Sequence, residues 1–161
     1  MSTKPILVFG YGNLSRGDDA LGVLMLEHIE ARFTLENIDL LTDFQLQIEH
    51  ALDLENRELV VFVDASVKSE IAFEFTQLQP IRDLSHTTHA MSPAAILDTY
   101  QTIKNETPPP CFLLAIGADS FELGEDLGDK AKQNLAKASE FMETLLNNPT
   151  FEFWQSQITT Q

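Results

Sequence analysis

The stretch Ile6-Leu-Val-Phe-Gly10-Tyr-Gly12-Asn13 is an apolar run that breaks at two glycines, after which the chain passes through Asp18 and Asp19 into Ala20-Leu-Gly22-Val23. A strand that ends in a tight loop and enters a helix through acidic residues is a building unit of a parallel α/β sheet. In such sheets ligands bind in the crevice outside the carboxyl ends of the strands, and this loop lies at such an end. A second carboxylate takes the same kind of position: Leu59-Val-Val-Phe-Val63 predicts a buried strand, and Asp64 closes it. A loop with two histidines follows, Ser85-His86-Thr-Thr-His89. Two carboxylates and an imidazole converging on one crevice form an oxygen and nitrogen donor set with positions left open for a metal's other ligands.

The alternation continues along the chain. Short apolar runs bounded by turn residues predict strands at 5–9, 38–42, 59–63 and 111–116. Residues 72–78 alternate apolar with polar, as an edge or half-exposed strand does. Helices are expected at 19–33, 46–56, 92–104 and 126–147. Ser92 before Pro93 supplies an N-cap and a first-turn proline, and Asn147-Asn148-Pro149 supplies a stop. In the last helix Lys130, Lys132 and Lys137 alternate with Ala131, Leu135, Ala138 and Met142, an ordinary amphipathic pattern. The fold class these elements predict is α/β, a mostly parallel twisted sheet of about five strands with helices on both faces. The 161 residues suit one domain, 1–161, whose aromatic tail at 150–161 docks on the body or on a partner.

Charge excludes whole classes of partner. Only 10 Lys and Arg stand against 25 Asp and Glu, so no nucleic-acid partner is expected, since phosphate binding draws on clustered cations. No apolar segment long enough for a signal peptide or a membrane span follows Met1, which predicts a cytoplasmic protein with no membrane partner. Cys111 is the single cysteine, which rules out an intramolecular disulfide and a thiolate zinc cluster within one chain. Opening the apolar run Phe112-Leu-Leu-Ala-Ile116, it is read as a packing residue. Nothing in the sequence specifies an oligomeric state.

Each candidate has a plain alternative. Asp18 at a helix start is read as a cap, and Asp19 in the first turn could merely complement the helix dipole. Asp64 stands out because a carboxylate ending an apolar strand is costly unless paired, hydrogen-bonded or bound to a cation. His28 and His50 fall within expected helices and are read as surface or packing residues. His86 and His89 share an exposed polar loop where an imidazole can titrate or bind metal. Asn13 is either a turn residue or a holder of substrate backbone, and the glycines at 10 and 12 favour a close backbone approach by a ligand. A dinucleotide fingerprint is a poor match, because Ser15 replaces its third glycine and two aspartates face the pyrophosphate position. A phosphate loop, a His-Glu-x-x-His helix and a Gly-x-Ser-x-Gly elbow are all missing.

The ordered set Gly10-x-Gly12-Asn13, Asp18-Asp19-Ala-Leu-Gly22-Val23, Val63-Asp64-Ala65 and His89 resembles the [NiFe]-hydrogenase maturation endopeptidases over residues 6–117. The resemblance implies that Asp19, Asp64 and His89 bind a metal ion, with Asp19 and Asp64 the candidate catalytic carboxylates, either of which is open to being the base or a ligand alone. It implies an aspartic-type endopeptidase that trims a C-terminal peptide from the hydrogenase large-subunit precursor once nickel is in place. The nickel is then contacted in the precursor. Many members carry glutamate at the position of Asp19. Many also carry an Asp-Gly-Gly-Thr-like turn where this chain reads Asp43-Phe44-Gln45-Leu46-Gln47, a variant resembling the branch that serves bidirectional, NAD-linked hydrogenases. Gly12, Asn13, Gln45 and Gln47 are then candidate substrate contacts, with Glu49 either a further contact or a solvated helix position. Two rivals stay open: a non-catalytic nickel metallochaperone or precursor-binding module using the same three residues, and a nucleotide-binding α/β domain.

Overall fold

The computed structural model describes residues 3–15, 17–66, 71–82, 91–119, 124 and 126–159. Among them, five strands form one sheet: β1 (Ile6–Tyr11), β2 (Ile38–Asp43), β3 (Leu59–Ser66), β4 (Phe73–Gln77) and β5 (Cys111–Gly117). Their order is β2-β1-β3-β5-β4, parallel throughout except for β4, which runs antiparallel to β5 at the edge. The α/β sheet expected from the sequence is therefore present, including the half-exposed edge strand. Leu7, Val8, Val60 and Val61 have no exposed surface, because β1 and β3 are covered on both faces. That double burial is why these strands read as unbroken apolar runs.

Four α-helices are described: α1 (Leu21–Arg32), α2 (Pro93–Lys104), α3 (Asp129–Asn147) and α4 (Phe151–Ser156). α1, α3 and α4 bury Met25, Ile29, Met142, Leu145 and Trp154 against one face of the sheet. On the other face α2 and the 3-10 helix Ile48–Leu54 bury Ala51, Leu54, Ile96 and Leu97. The cap before α2 is as expected: Ser92 Oγ accepts the Ala95 N–H at 3.1 Å and Pro93 occupies the first turn. No described helix is long and apolar enough to cross a membrane.

Several boundaries move, and each shift has a local cause. The helix expected from 19 opens instead as a 3-10 turn, Gly17–Ala20, and α1 is capped by Ala20 with no side-chain bond. The segment 46–56 is a short 3-10 helix whose N-cap Gln47 and third residue His50 form a reciprocal capping box. β3 runs on to Ser66, because Ala65 and Ser66 continue the ladder opposite Ile116 and Gly117. Asp64 is thus inside the strand and not beyond its end. The aromatic tail docks on the body: Trp154 is fully buried, donates Nε1–H to Leu145 O at 2.8 Å and packs edge-on to Phe112.

Candidate active site

The sheet order reverses beside β1, since β1 leads to β2 on one side while β3 pairs on the other. Ligand crevices of open α/β sheets form at such a switch point, outside the carboxyl ends of the strands. Asp19 and Asp64 both arrive here. Asp64 lies on β3 one residue after Val63, which is in register with Gly10, so its neighbour across the sheet is Tyr11. Asp19 returns to the same place through the loop that follows β1.

That loop is held by its own backbone. Gly12 has φ +146°, and a Cβ there would stand 2.0 Å from the Asp19 carbonyl oxygen. α1 seats equally close: a Cβ on Gly22 would lie 2.6 Å from Val63 O and 2.7 Å from Tyr11 O. The glycines therefore admit the chain's own main chain where the sequence suggested a ligand's approach. Gly12 N–H donates to Asp43 O at 3.0 Å, which fixes the loop to the end of β2. Asn13 N–H donates to Asp19 Oδ2 at 2.9 Å, and Asn13 Oδ1 accepts the Ser15 N–H at 2.8 Å. The Asn13 side chain is thus a turn former, and its backbone is what orients Asp19.

Asp64 Oδ1 accepts the Ala65 N–H at 2.8 Å and Oδ2 accepts the Tyr11 hydroxyl at 3.2 Å. Burial raises the Asp64 pKa from its ordinary value to about 6, the negative charge of Asp19 adding to the rise and the two hydrogen bonds opposing it. The Tyr11 phenol is pushed well above its usual range by burial and by Asp64, so it remains a proton donor. The residues present suit a cation: two carboxylates, the charge of Asp19 raising the proton affinity of Asp64, and no Lys or Arg ion-paired to Asp64 among the described residues. Among the described residues no three His, Cys, Asp or Glu side chains assemble a metal group. His86 and His89 lie outside the described residues.

The other expected residues divide clearly. Asp18, read as a helix cap, is instead buried and accepts the Asp119 N–H at 2.7 Å and the Gly128 N–H at 2.8 Å, clamping two distant loops. Gln47 spends its side chain in the capping box, Gln45 is half-buried, and Glu49 is exposed. His50 packs edge-on to Phe9, accepts Gln47 N–H at Nδ1, and so presents Nε2–H to Asp43 Oδ2 at 3.1 Å. His28 meets Glu143 of α3 at 3.4 Å. Cys111 is buried and its thiol is pushed far up by burial, consistent with packing. Sequence reasoning missed Tyr11 as a site residue; its place at the end of a strand between two glycines was the available signal. It also missed a shallow groove of about 310 Å³ beside the loop, lined by Gly12, Leu14, Val23, Thr42, Asp43 and Phe44.

The class defined here is an open α/β sheet with two carboxylates and a tyrosine at its switch point, and solved hydrogenase maturation endopeptidases share this fold. The hydrogenase maturating endopeptidase HybD from Escherichia coli is 23% identical, with TM-score 0.69 over 89% of this chain and 93% of its own. The [NiFe] hydrogenase maturation protease HycI from Thermococcus kodakarensis is 24% identical, with TM-score 0.66 over 90% of this chain and 93% of its own. An Escherichia coli endopeptidase solved in solution is 22% identical, with TM-score 0.71 over 89% and 93%. No protein-family model matches the sequence, and no curated protein matches it.

Proposed function

We propose that this protein is an aspartic-type endopeptidase of the cytoplasm that removes the C-terminal peptide from the nickel-loaded large-subunit precursor of a [NiFe]-hydrogenase. The observation that carries the proposal is the meeting of Asp19 and Asp64 at the switch point of a fold shared with proteins described as hydrogenase maturation endopeptidases. Nickel is part of the substrate here, and Asp19, Asp64 and His89 are the residues that would recognise it. Bound there, the ion would orient the precursor and polarise the scissile carbonyl.

The chain's own groups supply the remainder. A carboxylate with pKa about 6 is a stronger base than an ordinary aspartate, yet is still ionised at neutral pH, so Asp64 is matched to taking a proton from water. Tyr11 keeps its proton and holds one Asp64 oxygen, which leaves the carboxylate in a single orientation. Asn13 N–H does the same for Asp19. Because the nickel of the precursor is bound by sulfur, these harder oxygen and nitrogen donors suit a brief shared contact better than complete transfer.

The test mixes purified protein with nickel-loaded and nickel-free precursor and measures the precursor's mass. Loss of a C-terminal peptide from the loaded form alone, abolished in Asp64→Asn and His89→Ala, is the expected result. Binding without a mass change would identify a precursor-binding module or metallochaperone instead, and trimming retained by both variants would remove the proposed site.

A further inference from the structure

The two edges of the sheet are treated differently. At the β4 edge the tail supplies a cover: Thr159 N–H donates to Phe75 O at 2.8 Å, and Phe75 N–H donates to Thr159 Oγ1 at 3.0 Å. At the β2 edge, Asn37 O and Asp43 O both turn inward to β1, so by alternation the backbone groups of Leu40 and Thr42 turn outward. No hydrogen bond from the described residues reaches them. β2 also lacks the proline, bulge or outward lysine that usually protects an edge.

The open edge leads to the site. β2 ends at Asp43, which binds the Gly12 loop, and the groove beside it exposes Leu14 and Phe44. Charge is segregated along the strand: the Arg57 guanidinium pairs with Asp39 near its start, where Lys4 gives its backbone N–H to Asp39 and its ammonium to Leu35 O, whereas Asp43 at its end adjoins the loop that carries Asp19. An extended segment bearing cations is the complement of that end.

Resting on the proposed function, we propose that the free edge of β2 takes the C-terminal segment of the hydrogenase precursor as an added strand, setting its basic residues against Asp43 and leaving the Asp19 and Asp64 carboxylates to the precursor's nickel. Main-chain pairing supplies affinity in this mode, and the groove receives alternate side chains.

The test is Thr42→Pro, which deletes an outward N–H while the β1 ladder, made by Leu41 and Asp43, is kept. On nickel-loaded precursor KM should rise roughly ten-fold, the effect of losing one backbone bond and obstructing its neighbour, with kcat little changed. Thr42→Ala, which keeps the N–H and shortens only the side chain beside the groove, should raise KM far less than Thr42→Pro does. A second measurement is independent of that variant's folding: in Asp64→Asn mixed with nickel-loaded precursor, amide exchange at Leu40 and Thr42 should slow. An unchanged KM in folded Thr42→Pro, or unprotected Leu40 and Thr42 amides in the complex, overturns the edge proposal while the protease reading stands. A wild-type protein that never trims overturns the protease reading and this occupant with it. A dimer of wild type that Thr42→Pro dissolves would assign the edge to a second copy and overturn the proposal.

Discussion

Asp64→Asn should make the protein more stable at neutral pH while removing its proposed activity. The Asp64 carboxyl has its pKa raised in the folded state from 3.8 to about 6, first by burial and then by Asp19. A raised acid binds its proton more tightly folded than unfolded, so the stability it contributes is complete below 3.8 and is lost as pH climbs through 6. Two pKa units correspond to about 3 kcal/mol. Asparagine avoids that loss and can keep both bonds, its oxygen accepting from Ala65 N–H and its amide donating to a Tyr11 hydroxyl that turns to accept. Thermal melts with a metal chelator should therefore show wild type and variant nearly together at pH 4. At pH 7.5 the variant should melt higher by roughly 6–12 °C, given 2–4 °C per kcal/mol for a chain of this size. A difference that does not change between the two pH values, or a variant that melts lower at pH 7.5, would refute the account of Asp64 as a desolvated carboxylate facing Asp19.

Other perturbations probe the frame around the pair. Trp154→Ala empties a fully buried site and breaks the bond to Leu145 O, and denaturant titration should show a loss of about 3–5 kcal/mol; a loss under about 1 kcal/mol would mean that the tail is not part of the core. Gly12→Ala places a methyl against the Asp19 carbonyl at a φ that disfavours side chains, so trimming should vanish although the sheet survives; normal trimming in a folded Gly12→Ala protein would disprove the tight loop. Asp18→Ala leaves the Asp119 and Gly128 amides without their acceptor and should cost about 2–4 kcal/mol, whereas a neutral effect would show that the two loops do not depend on that clamp.

What the sequence could reveal of this molecule was set by the range of each interaction. β1 and β3 announced themselves because both their faces are buried, and the edge strand β4 because one face is not. The cap at Ser92 is a contact across three residues and was equally plain. Asp18 misled because its partners at 119 and 128 lie about a hundred residues away, and locally a helix-start aspartate looks like a cap whether or not it is one. The extent of β3 depended on Ile116 and Gly117 of β5, which its own residues do not reveal.

The same distinction governs the site. Asp64 was legible as a candidate because charge closing an apolar run demands compensation, and Asp19 because the loop after the first strand enters its helix through carboxylates, but the influence of Asp19 on Asp64 follows from the pairing of β1 with β3. That pairing also makes a site residue of Tyr11: its hydroxyl reaches Asp64 only because Gly10 and Val63 are in register, and a slip of one residue would turn it to the opposite face. The glycines, which invited thoughts of a bound phosphate, are needed so that α1 can approach the strand ends closely enough to bring the two carboxylates into one crevice. Packing at Gly12 and Gly22 and chemistry at Asp19 and Asp64 are therefore one requirement, and a change at either glycine should be read first in the geometry of the pair.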